Sequence, residues 1–323
     1  MVKLSTIKIE GRSLTDNPLK DPTERDVTVI SPDMPAANAP LFVYLPSFGS
    51  TSRSIFNVTP FGDDFLSRIQ KLHEANAIRG AVIAVPDLST KIGGNLFMNS
   101  TAVGNYEDFM VSDLIPGLRQ QLGIENIGLF GKSSGGFGSY NLAVRNPGIV
   151  QGFCAHSMDC GFEYAYIQDM VLAMDQFRKA GGPSKWFQRF LASRNKTSSL
   201  NIRVLNTLVS SAFLSPNESS TEMGIDFPFD WDSGEFRKDV WAKWKQVDPA
   251  ETVKDYLRQL ETLNYMYMDC GTMDEFNLIW GNRYVNRILV EGNIRHYYEE
   301  YEDGHFGIQY RFEKSLALMA ASL

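Results

Sequence analysis

The sequence predicts an α/β protein with a mostly parallel central sheet covered by helices on both faces. Two observations carry this. Short, continuously apolar runs alternate with longer stretches in which apolar residues recur at helical spacing. The short runs also lack the polar–apolar alternation of a half-exposed strand, so both sheet faces must be covered. Leu41–Leu45 is the first such run, and Phe65, Leu66, Ile69 and Leu72 then mark a helix. Ala81–Val85 is a second strand. From Tyr106 to Leu122 the pattern is helical, with Phe109, Met110, Leu114 and Leu118 on one face and a kink expected at Pro116. Ile127–Phe130 is a third strand, followed by a helix from about Ser134 to Val144. Further strands are expected over Ile149–Ala155, Asn264–Met268 and His296–Tyr301, the last two each followed by a helical segment.

Composition narrows the function classes. The 323 residues are 43% hydrophobic and 21% charged, enough apolar content for a large core and too little charge for disorder. The net charge of −7, with no basic run, gives no global attraction to nucleic acid or an anionic membrane. No segment has the length and apolarity to span a bilayer, and the N-terminus does not read as a signal peptide. Cys154, Cys160 and Cys270 are too few and too scattered for a disulfide framework, so a cytoplasmic location is expected. The four histidines show no HExxH spacing and no CxxC occurs, so no metal is expected.

The stretch at about 162–248 breaks the strand–helix rhythm. It is far longer than a crossover needs and holds Trp186, Trp231, Trp241 and Trp244, four of the five tryptophans. An unstructured loop of this length is improbable in a compact domain. It reads as a mostly helical cap over one end of the sheet, inserted into a single domain spanning 1–323. An ordinary helical layer is the plainer alternative.

The string Gly131-Lys-Ser-Ser-Gly-Gly136 follows a strand and opens a helix. It contains Gly-Lys-Ser, but the glycine that a phosphate-cradling P-loop needs five residues earlier is Asn126, so that loop is absent and an NTPase is not expected. Gly131, Ser133 and Gly135 fit GxSxG instead. Such a strand-to-helix turn strains the central serine, lifts its hydroxyl from the sheet edge, and needs flanking residues without Cβ. Ser134 fails as the nucleophile because Lys132 occupies the position of its preceding glycine.

A serine nucleophile needs a base oriented by an acid, here expected after later strands. Asp274 follows the strand ending at Met268, and His305 follows the last strand. All three groups then project from one sheet edge. His305 would take the Ser133 proton, and Asp274 would orient the imidazole. Asp159 and Asp269 are rival acids. His73 and His296 read as structural, whereas His156 ends a strand near the nucleophile and is a candidate pocket residue. The oxyanion hole would use the backbone amides of Ser134 and Phe48, with Gly49 as runner-up.

Taken together, Gly131–Gly136, Asp269–Phe276 and Tyr298–His305 resemble the esterase family of the α/β-hydrolase superfamily, which includes enterochelin-esterase-like proteins and feruloyl esterases. Tyr106–Phe109, before the helix carrying Leu114-Ile-Pro116, is similar too. The resemblance implies an α/β-hydrolase fold and carries Ser133, Asp274 and His305 over as the triad. A departure is Pro46-Ser47, where many relatives have His-Gly before the oxyanion residue.

The expectation is a serine carboxylesterase that forms an acyl-enzyme on a small-molecule ester and needs no cofactor. Trp186 and Trp231 are further candidate substrate contacts. An acyltransferase with the same triad, or a non-catalytic binding protein on the same scaffold, are the alternatives. Oligomeric state is not readable.

Overall fold

The strand order brings the ends of widely separated chain segments to one edge. The computed structural model describes residues 2–33, 35–36, 38–58 and 60–323. The strands of the main sheet are β1 (Val2–Glu10), β2 (Glu24–Pro32), β3 (Leu41–Leu45), β4 (Val82–Pro86), β5 (Ile127–Lys132), β6 (Gly152–His156), β7 (Tyr265–Gly271) and β8 (Tyr297–Tyr301). They lie in the order β1-β2-β4-β3-β5-β6-β7-β8. β1 and β2 pair antiparallel, as do β2 and β4; the other pairs are parallel. The chain leaves β3 in one direction for β4 and returns past it to β5. The crevice at the carboxyl ends of β3 and β5 is therefore a switch point, the usual ligand position in an open α/β sheet.

The helices are α1 (Phe65–Glu74), α2 (Ile115–Leu122), α3 (Ser134–Arg145), α4 (Ile167–Ala180), α5 (Pro183–Ala192), α6 (Ser199–Leu214), α7 (Lys238–Lys245), α8 (Leu278–Glu291) and α9 (Arg311–Ser322), with shorter turns between them. Strand side chains alternate between two cores. Leu41, Val43 and Leu45 face the core built with α2, α3 and α8. Phe42 and Tyr44 face the core built with α1 and α9. Every residue of β3 and β4 is buried, as expected of central parallel strands.

Three features differ from the sequence reading. The antiparallel strands β1 and β2 were not anticipated. β1 is polar and largely exposed, with Leu4 52% accessible, so it lacks the continuous apolar signature. β7 extends to Gly271 and takes in Asp269 and Cys270, because both are buried against neighbouring elements. The helix expected over 106–122 contains a wide π-type turn at Phe109–Leu114, directly before Pro116. That turn accommodates the proline, which cannot donate to the helical ladder.

Between β6 and β7 run α4 to α7. α4 and α6 pack on one another, and the buried Ser100 hydroxyl donates to the Ala212 carbonyl of α6 at 2.5 Å. Among the described residues, no helix is long and apolar enough to cross a membrane.

Candidate active site

At the end of β5 the chain turns sharply into α3, and Ser133 occupies the turn with φ 57° and ψ −125°. A non-glycine residue at this positive φ is strained, so the surrounding structure must hold it there. The glycines explain how. A Cβ on Gly131 would lie 2.6 Å from the Leu45 carbonyl oxygen, and one on Gly135 would overlap the same oxygen. The end of β3 thus presses against both sides of the turn. Ser133 N–H donates to the His156 carbonyl at 2.9 Å, and its carbonyl accepts from Phe137 N–H at 2.9 Å.

The loops after β7 and β8 meet over this turn. Asp274 Oδ2 accepts from His305 Nδ1 at 2.8 Å, while Asp274 Oδ1 accepts from the amides of Phe276 and Leu278 at 3.0 and 3.4 Å. The carboxylate is therefore fixed from behind by backbone. With Nδ1–H donating to Asp274, Nε2 of the imidazole is left as a proton acceptor. The His305 amide donates to Glu275 Oε2 at 2.6 Å, and its ring meets Phe276 edge-on at 4.8 Å. Gly271 lets these loops approach, because a Cβ there would overlap the Asp303 carbonyl oxygen.

Ser133 and His305 line one cavity of about 260 Å³. Larger hollows exist elsewhere, but this one combines a strained serine, a histidine–carboxylate pair and a second buried carboxylate. That carboxylate is Asp159. Its Oδ1 accepts from the Ser133 hydroxyl at 3.0 Å and its Oδ2 from Tyr166 Oη at 2.9 Å. Burial raises its pKa, opposed by the hydrogen bond from Tyr166. Lys132 Nζ also reaches the cavity and donates to the His305 carbonyl at 2.9 Å. Desolvation lowers its pKa to about 8, against the pull of Asp274 and Asp159.

Phe48 lines the cavity from the loop after β3, and its ring packs where a Cβ on Gly94 would be only 2.5 Å away. Ser134 is the first residue of α3, so its amide has no partner within the helix. The two expected oxyanion donors therefore come from chain segments that meet at this cavity.

Other expected contacts fall elsewhere. His156 does not reach the cavity. It is fully buried against Phe312 of α9, with Nδ1 at 2.8 Å from Asp269 Oδ1 and Nε2 at 2.9 Å from Ser315 Oγ. Its position at the end of β6 points it into the core rather than over the strand end. Asp269 is committed to that network, since Arg311 Nε and Tyr267 Oη also donate to its Oδ2. Trp186 stacks on Phe190 at 5.4 Å and packs against Phe177, away from the cavity. Trp231 is half-buried against the main core and does not line the cavity. Gly49, with φ 69°, lines a neighbouring hollow with Pro46 and Ser50. From the segment at about 162–248 the cavity is lined instead by Ala165, Tyr166, Ile202 and Asn206. Trp244 packs edge-on to Tyr166 at 5.7 Å.

Lys132, Tyr166, Ile202 and Asn206 were missed as site residues. Lys132 had a signal, its place inside the GxSxG turn; the other three lie on segments whose docking the sequence pattern does not specify. Among the described residues, no group of three His, Cys, Asp or Glu could hold a metal ion.

Known structures share the overall fold. The chain is similar to a ferulic acid esterase (13% identity, covering 100% of this chain and 99% of that one, TM-score 0.60). It is also similar to an S-formylglutathione hydrolase from Staphylococcus aureus (12% identity, 99% of both chains, TM-score 0.57). A third similar structure is a bacterial heroin esterase (14% identity, 100% of this chain and 84% of that one, TM-score 0.57). No family model matches the sequence, and no curated protein matches it. At these identities the likeness establishes the fold, which is that of the α/β-hydrolases.

Proposed function

We propose that the protein is a serine carboxylesterase acting on small-molecule esters, with Ser133 as nucleophile, His305 as base and Asp274 as orienting acid. The observation that carries this is the pairing of a strained Ser133 with a His305 whose Nδ1 is tied to Asp274, both on one cavity. In this reading the Ser133 hydroxyl, held by Asp159 in the structure, turns to His305 Nε2 before attack. Oγ then attacks the ester carbonyl as its proton passes to Nε2. The oxyanion rests on the amides of Ser134 and Phe48. Collapse breaks the bond to the alkoxy oxygen, which leaves as alcohol with the proton from His305. Water, deprotonated by the same imidazole, releases the acid from the acyl-enzyme.

The cavity volume favours a short acyl group, being smaller than the ~300–1,000 Å³ typical of drug-sized ligands. The segment at about 162–248 acts in this reading as a cap, through Tyr166, Ile202 and Asn206. Three buried free cysteines support a cytoplasmic location. The test is hydrolysis of p-nitrophenyl acetate by the wild type and Ser133→Ala. A loss of at least ~10³-fold in turnover is expected. A folded Ser133→Ala protein that hydrolyses the ester like the wild type would refute the reading.

A further inference from the structure

Asp159 is the part of the cavity that the serine mechanism does not use. Its carboxylate is buried, with 6% of the residue accessible. It holds two hydroxyl donors, Ser133 Oγ–H at 3.0 Å and Tyr166 Oη–H at 2.9 Å. A carboxylate so enclosed is costly unless its oxygens are satisfied. The reaction removes one of its two donors: Oγ–H turns to His305 before attack, and acylation makes the loss last. When Oγ forms its bond to the acyl carbon, its proton goes to His305 and then to the departing alcohol. Asp159 Oδ1 is then left without the hydroxyl it held.

The alcohol has left by that stage, so a replacement donor supplied by the substrate travels on the acyl group. Oδ1 lies at hydrogen-bond distance from Oγ itself, so the donor must sit close to the ester carbonyl. The adjoining carbon is the nearest position that can carry one. We propose that the site selects esters whose acyl group bears a hydrogen-bond donor, hydroxyl or ammonium, on the carbon next to the carbonyl, and that Asp159 is the residue that recognises it. This rests on the serine-esterase reading above and adds a substrate class to it. Tyr166 sets the strength of the effect, because it satisfies the other carboxylate oxygen.

The experiment compares ethyl glycolate, ethyl glycinate and ethyl propionate, which differ only in the hydroxyl, ammonium or methyl group on that carbon. Acid release is followed by pH-stat at pH 6.5, below the ~7.7–8.0 range of an α-amino group. Each kcat/KM is divided by the ester's rate constant with hydroxide, which removes intrinsic reactivity. The wild type should favour glycolate or glycinate over propionate by about 10-fold or more, as expected for a hydrogen bond to a buried charge. Which of the two is favoured identifies the donor.

Asp159→Asn should bring the favoured ratio to within about threefold of one. Tyr166→Phe keeps the carboxylate but removes its other donor, so it should raise the ratio. A wild-type ratio near one, with propionate hydrolysed and Ser133 labelled by a fluorophosphonate, would overturn this proposal alone; water or a proton would then serve Asp159. A clear ratio that Asp159→Asn leaves intact would also overturn it. If no ester is hydrolysed and Ser133 is not labelled, the esterase reading falls, and this proposal with it.

Discussion

Replacing Asp274 by asparagine isolates the tautomer of His305. Asp274 Oδ1 faces two backbone donors, the amides of Phe276 and Leu278, and Oδ2 faces His305 Nδ1 at 2.8 Å. An asparagine has one oxygen and one donor for these two directions. If its oxygen keeps the backbone amides, its NH₂ faces Nδ1 and forces that nitrogen to accept. The proton then sits on Nε2, the position that must receive the Ser133 proton. In a comparable triad this exchange costs on the order of 10⁴-fold, or about 5 kcal/mol. If the asparagine turns over, its NH₂ opposes two backbone N–H groups. At about 1–3 kcal/mol for each unsatisfied buried donor, that arrangement costs about 2–6 kcal/mol. Both routes are expensive, so kcat/KM on p-nitrophenyl acetate should fall by roughly 10³-fold, the middle of that range. Circular dichroism and a retained thermal transition would show that the variant is folded. A folded Asp274→Asn enzyme within tenfold of wild type would refute the reasoning.

Four other outcomes are expected. Gly135→Ala puts a Cβ on the Leu45 carbonyl oxygen, a backbone atom that cannot step aside; thermal denaturation should show a loss of about 3 kcal/mol or more, or no folded protein. Lys132 has its pKa lowered by burial to about 8, from 10.5. Between those values the unfolded chain binds the extra proton, so stability rises with pH. Urea titrations should therefore show wild type gaining about 3 kcal/mol relative to Lys132→Met from pH 8 to 10.5; parallel curves would contradict the burial of this ammonium. Ile202→Ala enlarges the cavity wall, so p-nitrophenyl butyrate should gain on acetate by about 10-fold, whereas Trp186→Phe, off the cavity, should lower the melting temperature and leave that ranking in place.

The parallel core of the sheet was legible because continuous burial leaves an unmistakable mark. Leu41–Leu45 and the β4 run are apolar at every position that packs, so continuous apolarity located them to within a residue. β1 leaves no such mark, since its hydrogen bonds are backbone groups that any side chain permits. The grouping of Ser133, Asp274 and His305 was legible because each follows a recognisable strand, and parallel strands deliver their ends to one edge. His156 misled for the same reason. It too ends a strand, but the direction of its side chain depends on the alternation through β6 and on Asp269 beside it, which strand position alone does not specify. The aromatic wealth of about 162–248 suggested a pocket wall. Most of those rings face one another instead, as Phe177, Trp186 and Phe227 do, and the wall is left to Tyr166, Ile202 and Asn206.

The central claim is that Ser133 is the nucleophile, and covalent labelling tests it most directly. The protein would be treated with a fluorophosphonate, its intact mass measured, and the modified peptide sequenced by tandem mass spectrometry. The account predicts a single adduct on Ser133, lost in Ser133→Ala, retained in Ser134→Ala, and formed far more slowly in His305→Ala. An adduct on Ser134, or ester hydrolysis by a protein that takes no label at Ser133, would contradict it.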